Sequence, residues 1–128
     1  MVILALVLAV LAAALHCYIW WLESFVWTTR ARAVFGTTRQ QAEATRELAF
    51  NQGFYNLFLA LIAVAGVAFW GAGQDGIGGA LLLAGTGSML AAALLLFVPS
   101  PDKRRAAITQ GFLPLLAVAA AISALVLQ

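Results

Sequence analysis

The sequence predicts an all-α polytopic membrane protein, a bundle of four transmembrane helices, on three observations. Apolar residues fill 64% of the 128 positions and charged residues only 9%, and the mean hydropathy is +0.99. These values lie outside the range of soluble domains. The apolar residues gather in four stretches of about 20 residues or more, each long enough for a hydrocarbon core about 30 Å thick. All seven basic residues lie between stretches, in two clusters. The expected helices are 1–28, 40–71, 77–98 and 103–127, in one domain over 1–128 that leaves no room for a soluble unit.

The basic clusters set the expected topology. Arg30, Arg32, Arg39 and Arg46 separate the first two stretches, and Lys103, Arg104 and Arg105 separate the last two, whereas the middle connection offers only Asp75. Basic loops stay in the cytoplasm, so both termini are expected outside, in a bacterial inner (plasma) membrane. The formal charge of +2 and pI near 9.2 come from these membrane anchors. The expected partners are therefore membrane lipids and not nucleic acid. Residues 2–15 resemble the apolar core of a signal peptide, but no basic segment precedes them and apolar sequence continues to Trp27, which favours a retained helix. The lone cysteine, Cys17, excludes an internal disulfide and a multi-cysteine metal site, and no metal site is expected.

The first helix changes character at His16. His16, Trp20, Glu23 and Trp27 follow at spacings of 4, 3 and 4 and share one helix face. A carboxylate inside a span costs about 2.5–3.5 kcal/mol on insertion scales, so Glu23 calls for a pocket or a partner. Its alternative is to snorkel toward Arg30 or Arg46. His16, deeper, is either a pocket residue or a core histidine donating to a backbone carbonyl. Trp27 reads as interfacial belt, and Trp20 as packing or a cavity wall. Thr37 or Thr38 is positioned to cap the second helix, with Gln41 or Glu43 reaching back.

The chain is organised around residues 48–60, at the mouth of the second helix. Asn51, Gln52, Tyr55 and Asn56 project within about 140° of arc, with Gly53 leaving room for close approach. In hydrocarbon such groups either form a buried polar network or line a wet or ligand-filled cavity. Beyond them the helix is plain, and Trp70 marks its outer interface. The glycine-rich turn 71–79 has no basic residue and no preceding strand, so it is a loop and not a phosphate cradle. In the third helix Ala80, Ala84, Ser88 and Ala92 form a ladder of small residues, read as scaffold or as the contact of a homo-oligomer. The fourth helix brings Gln110, whose carbonyl loses its partner to Pro114.

His16, Trp20, Glu23, Asn51, Gln52, Tyr55, Asn56 and Gln110 all fall in the half of the span nearest the basic loops. They are the expected lining of one cytoplasm-facing pocket that binds a small or amphiphilic ligand. Should there be catalysis, His16, Glu23 and Tyr55 are the candidate groups; neither a cofactor nor a reaction is indicated.

His16 with Glu23 and Trp27, Phe35 with Gly36, Asn51-Gln52-Gly53 with Tyr55 and Asn56, and Gln110-Gly111 with Pro114 together resemble one family over nearly the whole chain. It is the small four-helix bacterial membrane family classed as domain of unknown function 1304. That resemblance implies the fold and no activity. A weaker one is to the MAPEG superfamily of glutathione-using membrane enzymes, through Arg46-Glu47-Leu48-Ala49-Phe50-Asn51 and the outside N-terminus. Here Phe54 or Tyr55 stands where that superfamily's next Glu is expected. The alternatives to ligand binding are thus a glutathione-dependent enzyme, proton-coupled export of a small molecule through Glu23, and a purely structural polar network.

Overall fold

The computed structural model describes residues 1–127; residue 128, the last of the expected domain, lies outside the described residues. Four long helices make up the bundle: α1 (Val2–Phe25), α4 (Arg46–Gly71), α5 (Asp75–Phe97) and α6 (Arg104–Val126). Two short helices, α2 (Arg30–Phe35) and α3 (Arg39–Ala44), and a 3-10 turn, Pro101–Lys103, lie in the connections. The four long helices are long and apolar enough to cross a membrane, and the protein is an integral membrane protein. Helix α1 packs on α4, α4 on α5, α5 on α6 and α6 back on α1, closing a ring. Both basic connections lie at one end, called here the basic end.

Small residues hold the ring together. The inner face of α1 is Ala5, Ala9, Ala12 and Ala13, that of α6 is Ala117, Ala120, Ala121 and Ala124, and all are buried. Between α4 and α5 the approach is closer. A Cβ on Gly85 would lie 2.8 Å from the backbone N of Ala63, and one on Gly66 would run into the backbone of Leu82. Lipid tails are as apolar as leucine, so helices in a bilayer gain from contact at van der Waals range and not from leaving the solvent. Glycine and alanine permit that range.

Several boundaries and faces differ from expectation. The first helix, expected to residue 28, stops at Phe25, and its connection turns through Val26, whose carbonyl accepts from Thr29 N at 3.2 Å and Ala31 N at 3.1 Å. The second, expected as one helix from 40, breaks at Thr45. There the Thr45 hydroxyl donates to Gln41 O at 2.7 Å and accepts from Trp27 Nε1 at 3.0 Å, a side-chain competitor for the helical ladder. Thr38 does cap with Gln41 reaching back, but what it starts is the short α3. Trp70 is 3% exposed, and Gly78 packs against it, so it is a core residue and not an interfacial marker. Ala80, Ala84, Ser88 and Ala92 are exposed on the outside of α5, and the ring contacts of that helix run instead through Gly78, Leu82, Gly85 and Met89. Their scaffold role is thereby corrected: a helix in a ring turns only its closest-approaching face inward.

The glycine contacts make a test. Gly66→Val should force α4 and α5 apart and cost about 1–3 kcal/mol, as overpacking does in tight cores. Gly87→Ala, where an added Cβ meets nothing within 4 Å, should leave stability unchanged or slightly raised. Thermal unfolding in detergent, followed by circular dichroism, separates the two.

Candidate functional site

On α4 the inward direction is set by Ala49, Gly53, Ala60 and Ala63, all buried. With Asn51 at 0°, these cluster around about 160° on a helix wheel, Asn56 falls at about 140° and Gln52 at about 100°, while Tyr55 lies at about 40°. The four polar residues therefore divide. Asn56, half-buried, points into the α1–α4 seam, Gln52 flanks it, and Gln52, Asn51 and Tyr55 are all exposed. Tyr55, 56% exposed, packs edge-on against Phe58 on the outer surface.

On α1, Glu23 shares the inward face of Ala5, Ala9, Ala12 and His16. Its Oε2 accepts a hydrogen bond from Asn56 Nδ2 at 2.8 Å, and that Nδ2 also lies 3.3 Å from Gln52 O. Oε1 has no hydrogen-bond partner among the described residues, and neither Arg30 nor Arg46 pairs with the carboxylate. Snorkelling toward an arginine is thus replaced by a bond to an amide across the seam. The next residue locks the register: Ser24 Oγ donates to Phe50 O at 3.0 Å. Gly53 makes this close seam possible, because a Cβ there would collide with Ser24 Oγ and lie 3.0 Å from Trp20 O. The space left at Gly53 is filled by α1 itself.

His16 is 2% exposed, and its Nδ1 lies 2.9 Å from Ala12 O, the geometry of a core histidine donating to the preceding turn. Trp20 stacks edge-on with Phe25 and Phe54 at centroid distances of 5.5 and 5.8 Å. Neither lines a cavity with Glu23.

Glu23 lines a cavity of about 920 Å³ at the basic end. Leu48, Ala49, Asn51 and Gln52 of α4 and Trp27 form one wall, Thr37, Thr38, Gln41 and Thr45 of the connection form its cover, and Asp102 and Lys103 close the far side. The cover is tied down at two points. Trp27 Nε1 donates to Thr45 Oγ1, and Lys103 Nζ donates to Phe35 O at 2.8 Å, at the carbonyl end of α2, where Gly36 adopts the left-handed conformation (φ 66°). Lys103 also lies 3.7 Å from Asp102. Sequence reading missed Thr37, Thr38, Gln41, Thr45 and Lys103 as cavity residues; polar side chains in a loop beside water are unremarkable until the loop is seen to fold over the bundle.

Gln110 is elsewhere. With Thr109 and Arg105 it lines a second cavity, about 530 Å³, between α1 and α6, whose α1 wall is Leu15, Tyr18, Ile19 and Leu22. The expected single pocket is therefore corrected: Glu23, Asn51 and Gln52 line the first cavity and Gln110 the second, because helix α2 and Gly36 cross the basic end between them, Gly36 and Asp102 bordering both, while Tyr55 lies with Asn51 on a separate outer groove of about 310 Å³. Among the described residues no cluster of His, Cys, Asp and Glu could hold a metal ion.

A family model described as "Protein of unknown function (DUF1304)" matches residues 10–122. The chain belongs to the DUF1304 family. In this DUF1304 protein the match takes in every candidate residue from His16 to Gln110, so both cavities are built from the family's shared segment. No curated protein and no solved structure matches the chain, and the likeness to the MAPEG superfamily gains no support from these comparisons.

The Glu23–Asn56 bond should behave as a coupled pair. Asn56→Leu should lower stability by about 1.5–3 kcal/mol, the range for a hydrogen bond to a charged group, because it strands the carboxylate. Much of that loss should return when Glu23→Leu is added, and a double-mutant cycle of unfolding free energies measures the coupling.

Proposed function

We propose that this DUF1304 protein binds a small or amphiphilic ligand in the cavity at the basic end, with Glu23 as its principal acceptor. One observation carries the reading: among the described residues Glu23 is drawn into the bundle, satisfied through one oxygen only and paired with no cation, while its carboxylate borders a cavity of about 920 Å³. A carboxylate kept in a span at a cost of kilocalories is better accounted for by a ligand than by helix register, which Gly53 and Ser24 already set. The lining carries Glu23, Asp102 and Lys103, and Lys103 is occupied by the carbonyls of Phe35 and Gly36 and by Asp102. That balance favours a ligand presenting N–H or O–H donors, an amine above all. The amides of Gln41 and Gln52 and the threonine hydroxyls supply further partners along the walls.

The cavity lies beside both basic connections, and positive charge stays on the cytoplasmic side. In this reading the ligand enters from the cytoplasm and both termini lie outside, in the plasma membrane of a bacterial cell. Enzyme reporters fused after Leu127 should be active only when they require export; activity of a cytoplasm-dependent reporter there would reverse the orientation.

The binding test uses the purified protein and native mass spectrometry with a panel of alkylamines and glutathione. Wild type should retain an amine. Glu23→Gln and Gln52→Leu should each lower that retention about tenfold or more, the equivalent of one charge-assisted bond, while their melting temperatures stay near wild type. Equal retention in all three proteins removes the site. Binding of glutathione, weakened by changes at Arg46, Glu47 and Asn51, would move the enzyme reading to first place.

A further inference from the structure

The second cavity, which the proposed function does not use, has the layout of a lipid site. It is a groove along the α1–α6 seam, about 530 Å³ in volume. From Leu22 through Ile19 to Leu15 its α1 wall is apolar for two helical turns, about 10 Å at 1.5 Å per residue. The α6 wall is polar and graded. Arg105 stands in the first turn of α6 at the basic end, and Gln110 lies five residues, about 7.5 Å, further into the span.

Three features of these polar groups point outward to a ligand. Arg105 forms no ion pair and no hydrogen bond through its guanidinium among the described residues. Gln110 is part-buried, and its amide has no partner among the described residues either. The first turn of α6 holds no acidic residue to offset the positive end of its dipole. Asp102 at the rim is the one opposing charge, and Lys103 lies 3.7 Å from it. Tyr18, 47% exposed, forms the groove's outer edge and stacks on Trp21, which in turn lies under the Arg30 guanidinium. A second cation is thereby held on the same side of α1.

We infer that this groove holds one anionic glycerophospholipid. Its phosphate lies at Arg105, an ester carbonyl accepts from the Gln110 amide, and an acyl chain runs along Leu22, Ile19 and Leu15. Charge complementarity selects the occupant. A free cation at headgroup level attracts anionic lipid, and a polar group one step deeper, otherwise unpaired in the span, finds its acceptor in the ester region. A soluble anion would satisfy Arg105 but would leave Gln110 and the apolar wall without a partner.

The test reconstitutes the full chain in nanodiscs of equal phosphatidylglycerol and phosphatidylcholine and counts retained lipid by native mass spectrometry. Wild type should keep one phosphatidylglycerol per chain. Arg105→Gln should lower that retention about fivefold, the scale of one cation at an anionic surface, and abolish the preference over phosphatidylcholine. Thr109→Trp, at an exposed position on the groove wall, should exclude both lipids. Arg39→Gln, which removes the same charge from the α3 surface outside the groove, should change nothing. Equal retention of the two lipids by wild type overturns the proposal, as does retention by Thr109→Trp at the wild-type level or a loss in Arg39→Gln as large as in Arg105→Gln. Glu23→Gln should keep its phosphatidylglycerol, so the outcomes for the two cavities are read separately.

Discussion

The close approach of helix backbones at small residues is the constraint on which the rest of this molecule depends. With no gain from removing side chains from water inside a bilayer, the helices adhere through contact alone. Gly66 and Gly85 bring α4 and α5 to backbone range, alanines do the same on α1 and α6, and Gly53 brings α4 against Trp20 and Ser24 of α1. The bonds that cross the α1–α4 seam, Ser24 to Phe50 O and Asn56 to Glu23, follow from that spacing. Asn56 reaches Glu23 because Gly53, one turn earlier, has no side chain to hold the helices apart.

The same constraint produces the cavities. Where the seams are lined by alanine and glycine the bundle closes, and toward the basic end larger and more polar side chains hold it open. The connection between α1 and α4 then folds over the opening as α2, a turn at Gly36, and α3. It is fastened by Lys103 on the carbonyl end of α2 and by Trp27 on Thr45. One segment thus covers the cavity at Glu23 and separates it from the groove at Gln110. The two spaces differ in chemistry. Among the described residues, one has an acceptor with spare capacity, and the other has a cation and, below it, an amide that make no side-chain pairing, beside an apolar wall.

The burial of Glu23 and the exposure of Tyr55 illustrate how helix faces are chosen. Both are polar-bearing residues in the same half of the span, and both belong to runs that look alike on a wheel. The inward direction is decided by the smallest residues of each helix, since these permit the closest contact, and polar residues follow passively. Asn56 falls within that direction and Tyr55 about 120° from it. Tyr55 then packs edge-on against Phe58 on the outer surface, at the end of the row Phe50, Phe54, Phe58.

From sequence alone the number of long helices, their apolar character, the clustering of basic residues at one end and the family were all determined, because composition and spacing along one chain encode them. A capping box near Thr37 or Thr38, closed by Gln41 or Glu43, was legible because cap and partner are close in sequence; the structure takes Thr38 with Gln41 and starts the short α3 there. His16 was legible as one of two alternatives, and the nearby Ala12 carbonyl decided between them. The pairing of Glu23 with Asn56, the burial of Trp70 and the division of the polar residues between two cavities were decided only by tertiary structure. Each depends on which face of a helix meets which neighbour. That choice rests on glycines whose partners lie on other helices, so no single helix contains the information.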